Sequence, residues 1–211
     1  MLNKQDVYQM LEKVTDVFNE RKEFLSELDA KVGDGDHGYS IARGCTAGMK
    51  AISDLDEQAS ISDLFRVYGR TLTCEVGGAM GPLFGLIFTE MGVATQKIEV
   101  FGVKDLLNGL NCAKKEILEL GGASPGDKTM VDAIVPTVET LKQAIDTGKT
   151  DNEVLTLCVD AAKKGVEATI PMVARRGRSK YLREKSVGYQ DAGATSFYTL
   201  IGVLAESLKE N

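Results

Sequence analysis

Apolar residues recur along most of the chain at the spacing of amphipathic helices. In the first segment they occupy a single helical face, at steps of three and four: Val7, Met10, Leu11, Val14, Val17 and Phe18. Asn3 has the side chain of an N-cap residue for this helix. The same spacing returns at Ile41, Cys45, Met49 and Ile52. Since no segment has the period of two typical of a β-strand, the pattern predicts a protein made of α-helices.

Glycine and proline residues divide the rest of the pattern into further helices. We predict helices over 62–76, from Pro82 onward, and over 103–120, 128–144, 152–174 and 193–209. In the helix over 128–144 we expect a cap at Asp127 and a kink at Pro136. The links are short except for a basic loop over 175–190. The sequence therefore predicts one all-α domain over 1–211, a bundle of about eight helices.

The glycines concentrate where these helices begin. Four clusters cover 33–38, 77–81, 121–126 and 188–193. The first backbone N–H groups of a helix have no partner within it, so they are suited to holding an anion.

Composition and net charge limit the kinds of molecule that the protein is expected to bind. The 211 residues are 43% hydrophobic and carry a net charge of −6, which argues against a nucleic-acid or membrane-surface partner. No apolar run approaches the ~18 residues of a spanning helix, and the first residues do not read as a secretory signal, so we expect a cytoplasmic protein.

Four cysteines lie far apart along the chain, which predicts reduced, mostly buried thiols: Cys45, Cys74, Cys112 and Cys158.

Three aspartates within residues 28–40 form the sharpest chemical motif, LDAKVGDGDHGYS. Glycines at 33, 35 and 38 allow tight turns, so Asp29, Asp34 and Asp36 can converge. Converging carboxylates repel one another unless a cation lies among them. The alternative interpretation is a solvated acidic turn in which Asp34 caps a helix.

Magnesium completed by phosphate oxygens fits this motif better than calcium in an EF-hand. An EF-hand needs a glutamate at its twelfth position, where this chain has Ser40 or Cys45, depending on the starting aspartate. His37 is the only histidine, and its place in the motif suggests a base, a phosphate donor or a polar loop residue.

Three other segments offer weaker signals. Residues 77–82 open a helix and can accept a phosphate, or form a plain helix–helix turn. Residues 121–130 approach a P-loop in sequence, but the preceding segment is helical and a P-loop follows a strand, so we reject a P-loop. Lys128, near a helix start, can still reach a phosphate, although a surface lysine is the default expectation. Six basic residues in 175–185 suit a phosphate or an acidic partner, or form a solvated loop. Asp191 is either a helix cap or a ligand.

Four motifs are conspicuous along the chain: GDGDHGYSIARG (33–44), VGGAMGPLFG (76–85), PGDKTMVDA (125–133) and RRGRSKYLREKSVGYQDAGATS (175–196). Together they resemble the nucleotide-binding L subunit of dihydroxyacetone kinases. They follow the order and spacing of that family and span nearly the whole chain.

This resemblance implies an antiparallel barrel of eight helices with ADP or ATP at one end. It implies two Mg²⁺ ions held by Asp29, Asp34 and Asp36. The aspartate motif and the basic loop lead to the separate hypothesis that Arg178 offsets charge during phosphoryl transfer. Nucleotide contacts carry over to His37, Gly38, Tyr39, Ser40, Ala79, Met80, Gly121, Met130, Arg178, Asp191, Ala192 and Gly193.

The resemblance also implies two partners. A separate K subunit would hold dihydroxyacetone covalently on its own histidine, and a phosphohistidine carrier would rephosphorylate the bound ADP. The family usually has serine at the position of Met80 and proline at that of Ala192. These departures leave open a kinase for another small ketose such as a tetrulose, or a regulatory module that signals nucleotide state to a transcription factor. A structural metal-binding bundle without nucleotide is a further alternative, and the basic loop argues against it.

Overall fold

Eight α-helices follow one another along residues 1–210, the part of the chain that the computed structural model describes. They are α1 (Lys4–Ala30), α2 (His37–Ser53), α3 (Ile61–Glu75), α4 (Met80–Ala94), α5 (Val103–Gly121), α6 (Val131–Asp146), α7 (Asp151–Ala168) and α8 (Ala192–Glu210). A 3-10 helix covers Ser179–Ser186. The predicted domain also includes Asn211, which lies outside the described residues.

Side-chain caps fix where several helices begin. Asn3 accepts from the backbone N–H groups of Gln5 and Asp6, while the Asp6 carboxylate accepts from the N–H of Asn3. This reciprocal capping box confirms the predicted start of α1. Similar boxes start α3 at Ser60 and α7 at Thr150.

The helices form a closed ring. Each packs against the next along the chain, and α8 packs back against α1. Because successive helices alternate in direction, the links 31–36, 76–79, 122–130 and 169–191 all lie at one end, called here the loop end. The all-α prediction is confirmed: within residues 1–210 the only β-type pairing is a single bridge between Leu2 and Phe101, at the opposite end.

Buried aromatic rings fill the middle of the barrel. The rings of Phe18 and Phe84 meet edge to face with centroids 5.5 Å apart, and Phe88 lies 6.1 Å from Phe84 and 4.8 Å from Tyr68. Such pairs stabilise a core by ~0.5–1.5 kcal/mol beyond the burial of their area. The core therefore links α1, α3 and α4.

Two predicted boundaries are wrong. Helix α6 begins at Val131 instead of Lys128, because Gly126 and Lys128 have left-handed backbones (φ 93° and 60°). The carboxylate that organises this turn is Asp132, which accepts from Gly126 N at 2.5 Å and Thr129 N at 2.8 Å. Asp127 therefore does not cap the helix. Helix α7 ends at Ala168, not at residue 174.

The thiols are free, as predicted, but differ in exposure. Cys45 and Cys158 are buried, Cys112 is partly buried and Cys74 is exposed in the last turn of α3. No helix within residues 1–210 has the length and apolar content needed to cross a bilayer.

We predict that Gly69→Ala destabilises the protein by ~1–2 kcal/mol, although alanine favours helices. Helices α3 and α4 touch through Gly69 and Gly85, and a Cβ on Gly69 would lie 2.6 Å from the Gly85 carbonyl oxygen. Overpacking costs about 1–3 kcal/mol, which exceeds the gain in helix propensity of at most ~1 kcal/mol. Urea unfolding measures the difference.

Gly202→Ala is the matched control, because nothing lies within 4 Å of the Cβ it would add in α8. It should stabilise the protein by ~0.5–1 kcal/mol. Equal effects of the two substitutions would contradict the close α3–α4 contact.

Candidate functional site

Three aspartates meet where α1 ends and α2 begins. Asp29 lies in the last turn of α1, Asp34 in the link and Asp36 at the residue before α2. Each contributes one carboxylate oxygen to a group whose members all lie within 4.8 Å of one another. Asp34 and Asp36 are exposed and Asp29 is partly buried. The convergence predicted from the interleaved glycines is therefore present.

The backbone of the link requires its glycines. A Cβ on Gly33 would overlap the Asp29 carboxylate, and Gly35 has a φ of 77°, which L side chains rarely adopt. The N–H of Gly35 donates to Asp29 Oδ2 at 2.8 Å and fixes that carboxylate. The turn therefore both orients Asp29 and brings the following aspartates towards it.

The first turn of α2 lies directly against α1. A Cβ on Gly38 would overlap the carbonyl oxygen of Lys22, so only glycine permits this approach. Ser26 Oγ in α1 accepts from Gly38 N at 3.1 Å and from Tyr39 N at 3.3 Å. These bonds satisfy two N–H groups of the first turn of α2 and hold Asp36 near Asp29.

The donor set fits a hard divalent cation such as Mg²⁺. At this separation each carboxylate pair repels by ~1 kcal/mol in water and by several times more at lower permittivity. Carboxylate oxygens are the side-chain ligands that Mg²⁺ takes, completed by water or phosphate. Asp34 does not cap a helix, and Asp36, at the N-cap position, makes no side-chain cap bond. The alternative interpretation, a solvated acidic turn in which Asp34 caps a helix, therefore lacks the capping hydrogen bond that it requires.

Arg178 reaches this cluster from the distant link between α7 and α8. Its Nη1 pairs with Asp34 Oδ2, and its side chain is 63% exposed. Sequence reasoning placed the aspartates and the arginine in one site, and the structure brings them together.

His37, the first residue of α2, connects the aspartate cluster to α8. Its Nε2 lies 2.8 Å from Ser196 Oγ. Burial lowers the pKa of His37 to about 4, while the nearby Asp29 carboxylate and a hydrogen bond to the Ala192 backbone act in the opposite direction. The ring is therefore neutral at physiological pH.

Asp191 organises the start of α8. Its Oδ1 accepts from Ala194 N at 2.7 Å, so it is the N-cap of this helix. Burial raises the pKa of Asp191 to about 6, and the nearby carboxylates of Asp132 and Asp29 act in the same direction. The hydrogen bond from Ala194 N and the charge of Lys128 act in the opposite direction. Gly193 lies close to Met130: a Cβ added to Gly193 would be 3.5 Å from the Cβ of Met130.

The other predicted nucleotide contacts lie along the same end. Tyr39 is exposed and Ser40 is buried, in the first turn of α2. Ala79 and Met80 begin α4, and Gly121 ends α5 beside Leu83. Within residues 1–210, no hydrogen bond or ion pair joins these last three to the aspartate cluster.

Comparison with known proteins identifies the fold family. Residues 31–206 match the family model of the DAK2 domain. The chain belongs to the DAK2-domain family.

Relatives of this DAK2 domain confirm the resemblance to L subunits. The ADP-binding subunit DhaL of the PEP-dependent dihydroxyacetone kinase of Escherichia coli is 36% identical over 212 residues, which cover 99% of each chain. The L-erythrulose 1-kinase of Mycolicibacterium smegmatis is 34% identical over 96% of this chain, but over only 35% of its own length. The dihydroxyacetone kinase of C. freundii, solved with AMP-PNP and Mg²⁺, superposes with a TM-score of 0.68 at 29% identity, covering 98% of this chain and 34% of that one.

Sequence reasoning missed the buried position of Lys128 in this DAK2 domain. The residue is 1% exposed instead of lying on the surface, and its Nζ donates to the carbonyl oxygens of Thr169, at 2.6 Å, and Tyr189. Neither partner is near it in sequence, so no local pattern indicates this burial. Ser196 was missed for the same reason, because its contact with His37 joins α2 to α8.

We predict that the single histidine titrates far below its ordinary pKa of 6.5. Its proton NMR signal should shift with a midpoint near pH 4, since burial disfavours the imidazolium. The unfolded chain gains that proton below pH 6.5 and the folded chain does not. The free energy of unfolding should therefore fall as pH drops from 6.5 towards 4.

His37→Gln is the control for this pH dependence. The difference between wild type and His37→Gln in urea unfolding isolates the histidine from the carboxylates, which titrate in the same range. A midpoint at or above 6.5 would contradict the partly buried, neutral ring.

Proposed function

We propose that this chain is the ADP-carrying subunit of a dihydroxyacetone kinase. A phosphoryl group passes from its Mg-nucleotide to dihydroxyacetone held on a separate K subunit, and a phosphohistidine carrier rephosphorylates the ADP in place. The observation that carries the proposal is the group of three converging carboxylates with Arg178 beside it. The E. coli relative of the same length, an ADP-binding subunit, supports it.

Asp29, Asp34 and Asp36 would hold the magnesium, as two ions. Bound there, Mg²⁺ neutralises phosphate charge and orients the terminal phosphoryl group. The protein fixes this ligand set before any ion arrives, through Gly35 N on Asp29 and Ser26 Oγ on the first turn of α2. The AMP-PNP and Mg²⁺ complex of the C. freundii kinase supports both ligands.

Helix starts give the loop end its affinity for phosphate. Helices α2, α4, α6 and α8 all begin there, since the chain alternates in direction. Each start carries about half a positive charge from the helix dipole, which favours an anion. The proposed nucleotide contacts lie largely at these starts: His37, Gly38, Tyr39, Ser40, Ala79, Met80, Met130, Asp191, Ala192 and Gly193, together with Gly121 and Arg178.

Arg178 is the proposed catalytic residue. Its guanidinium is held beside Asp34 yet remains largely exposed, so it can face the phosphate chain and stabilise charge during transfer. Phosphoryl transfer depends mainly on positioning and charge stabilisation, so no side chain of this protein has to form a covalent intermediate.

The exposed surface of the loop end supports a docked K subunit. Tyr181 is 78% exposed, with Leu182 and Lys180 beside it and Tyr39 exposed in the first turn of α2. An exposed aromatic and basic surface around the nucleotide is suited to a protein partner whose substrate must reach the terminal phosphate. We propose that the protein works with these partners in the cytoplasm.

A second ketose is a candidate substrate. The M. smegmatis relative is an L-erythrulose 1-kinase, and this chain matches only about a third of it. In the proposed complex the ketose is held by the K subunit, so L-type residues do not select it. A tetrulose such as erythrulose is therefore the alternative substrate, and a regulatory module without transfer is the alternative role.

We predict that the purified protein releases stoichiometric ADP when it is denatured. Asp36→Ala should lose this ADP and show no Mg-ADP binding by calorimetry, because three aspartates are shared between two proposed ions and the loss of one weakens the hold on both the metal and the phosphates. Asp54→Ala, an exposed aspartate just past the other end of α2, should retain both. Wild type that is empty and ignores added Mg-ADP would exclude the proposed function.

We predict that Arg178→Ala lowers phosphoryl transfer by about 10²–10³-fold while Mg-ADP still binds, because the lost charge acts mainly in the transition state. The assay supplies K subunit, phosphohistidine carrier and either dihydroxyacetone or erythrulose. Arg70→Ala, an exposed arginine in α3, is the control and should leave the rate unchanged. ADP binding without transfer to either ketose would identify a regulatory module instead.

A further inference from the structure

The chain between α7 and α8 forms a long loop whose two ends, called here its base, lie next to each other. Residues 170–188, called here the basic segment, carry Arg178 and leave the barrel after Thr169. Gly188 N donates to Ile170 O at 2.9 Å, and Asp191 N donates to Thr169 Oγ1 at 2.9 Å. The two ends of the segment therefore meet at the start of α8.

Lys128 joins both ends of this base from a separate link. Its side chain is fully buried, and its Nζ donates to Thr169 O at 2.6 Å and to Tyr189 O. Thr169 precedes the segment and Tyr189 follows it. A single ammonium group therefore bridges the outgoing and returning chain.

A positive charge is suited to this position for two reasons. Thr169 is the C-cap residue of α7, where free carbonyl groups and the helix dipole favour a cation. Asp191 and Asp132 also lie near the ammonium: burial lowers the pKa of Lys128, and these two carboxylates raise it. Removing the amine would leave buried carbonyl oxygens without their donor, which costs more than an ordinary hydrogen bond.

The backbone of Lys128 is held ready for this contact. Its φ of 60° is left-handed, a conformation that a non-glycine residue adopts at some cost. Asp132 fixes the turn by accepting from Gly126 N and Thr129 N on either side. The turn therefore directs the lysine inward, although a typical lysine lies on the surface.

We propose that Lys128 is a positioning residue that clamps the base of the basic segment and thereby holds Arg178 and Asp191 at the site. The lysine acts through Thr169 and Tyr189 and does not touch the phosphates. The consequence for nucleotide retention rests on the proposed function, whereas the clamp itself does not.

Hydrogen–deuterium exchange of the nucleotide-free protein tests the clamp directly. In Lys128→Met, amides of 170–190 should exchange about tenfold faster or more, because the base opens more often, while α1 and α3 keep their wild-type rates. Methionine keeps the Cβ and the length of the side chain, so only the amine is lost. Lys142→Met, an exposed lysine in α6, is the matched control and should change nothing.

Nucleotide release supplies the second readout. ADP should dissociate from Lys128→Met about tenfold faster or more, and Lys128→Arg, which keeps the charge, should recover part of the difference. If Lys128→Met does not fold, Lys128→Gln, which keeps an N–H donor, replaces it in both measurements, with smaller effects in the same direction.

Two results would overturn the clamp. Exchange in 170–190 at the wild-type rate would show that the base is held without the amine. Equal acceleration in every helix, with no recovery in Lys128→Arg, would show general destabilisation instead. A wild-type protein that binds no ADP would overturn the proposed function alone, because the exchange measurement requires no nucleotide.

Discussion

The site depends on the direct contact between the backbone of the first turn of α2 and α1. Gly38 lies against the Lys22 carbonyl with no room for a Cβ, and Ser26 Oγ accepts from the N–H of the same turn. This contact forces Asp36 towards Asp29 against the repulsion of their charges. The fold therefore stores an electrostatic cost at the loop end, and a cation relieves that cost on binding.

The charges around this contact come from separate parts of the chain. Arg178 pairs with Asp34 and Lys128 lies beside Asp191, in a protein whose net charge is −6. Under the proposed function the overall charge therefore does not attract a nucleotide, and the local arrangement of cations and helix starts must do so. Closing the ring of helices places these groups at one end, which explains why all the conspicuous glycine clusters lie there.

The sequence predicts well the features whose cause is local. The face formed by Val7, Met10 and Leu11 predicts α1, and the glycines between the aspartates predict their convergence. Lys128 was predicted as a surface residue because its partners are 41 and 61 residues away and are backbone carbonyls, which carry no side-chain signal. The start of α6 was misplaced for a related reason, since the left-handed turn depends on Asp132, which follows it.

Met80 and Ala192, the two positions at which the resemblance leads us to expect serine and proline, are the first residues of α4 and of α8. At that position a proline costs no hydrogen bond and fixes φ, so alanine loses some preorganisation but adds an N–H donor. Met80 exchanges a hydroxyl for packing against the core, and its backbone N–H is unaffected. The helix-start N–H groups to which the proposed function assigns phosphate contacts are therefore present despite both changes. What the changes alter is how firmly each helix start is fixed, and at α8 that task then falls more heavily on the Asp191 cap and on the Thr169 hydroxyl that accepts from Asp191 N.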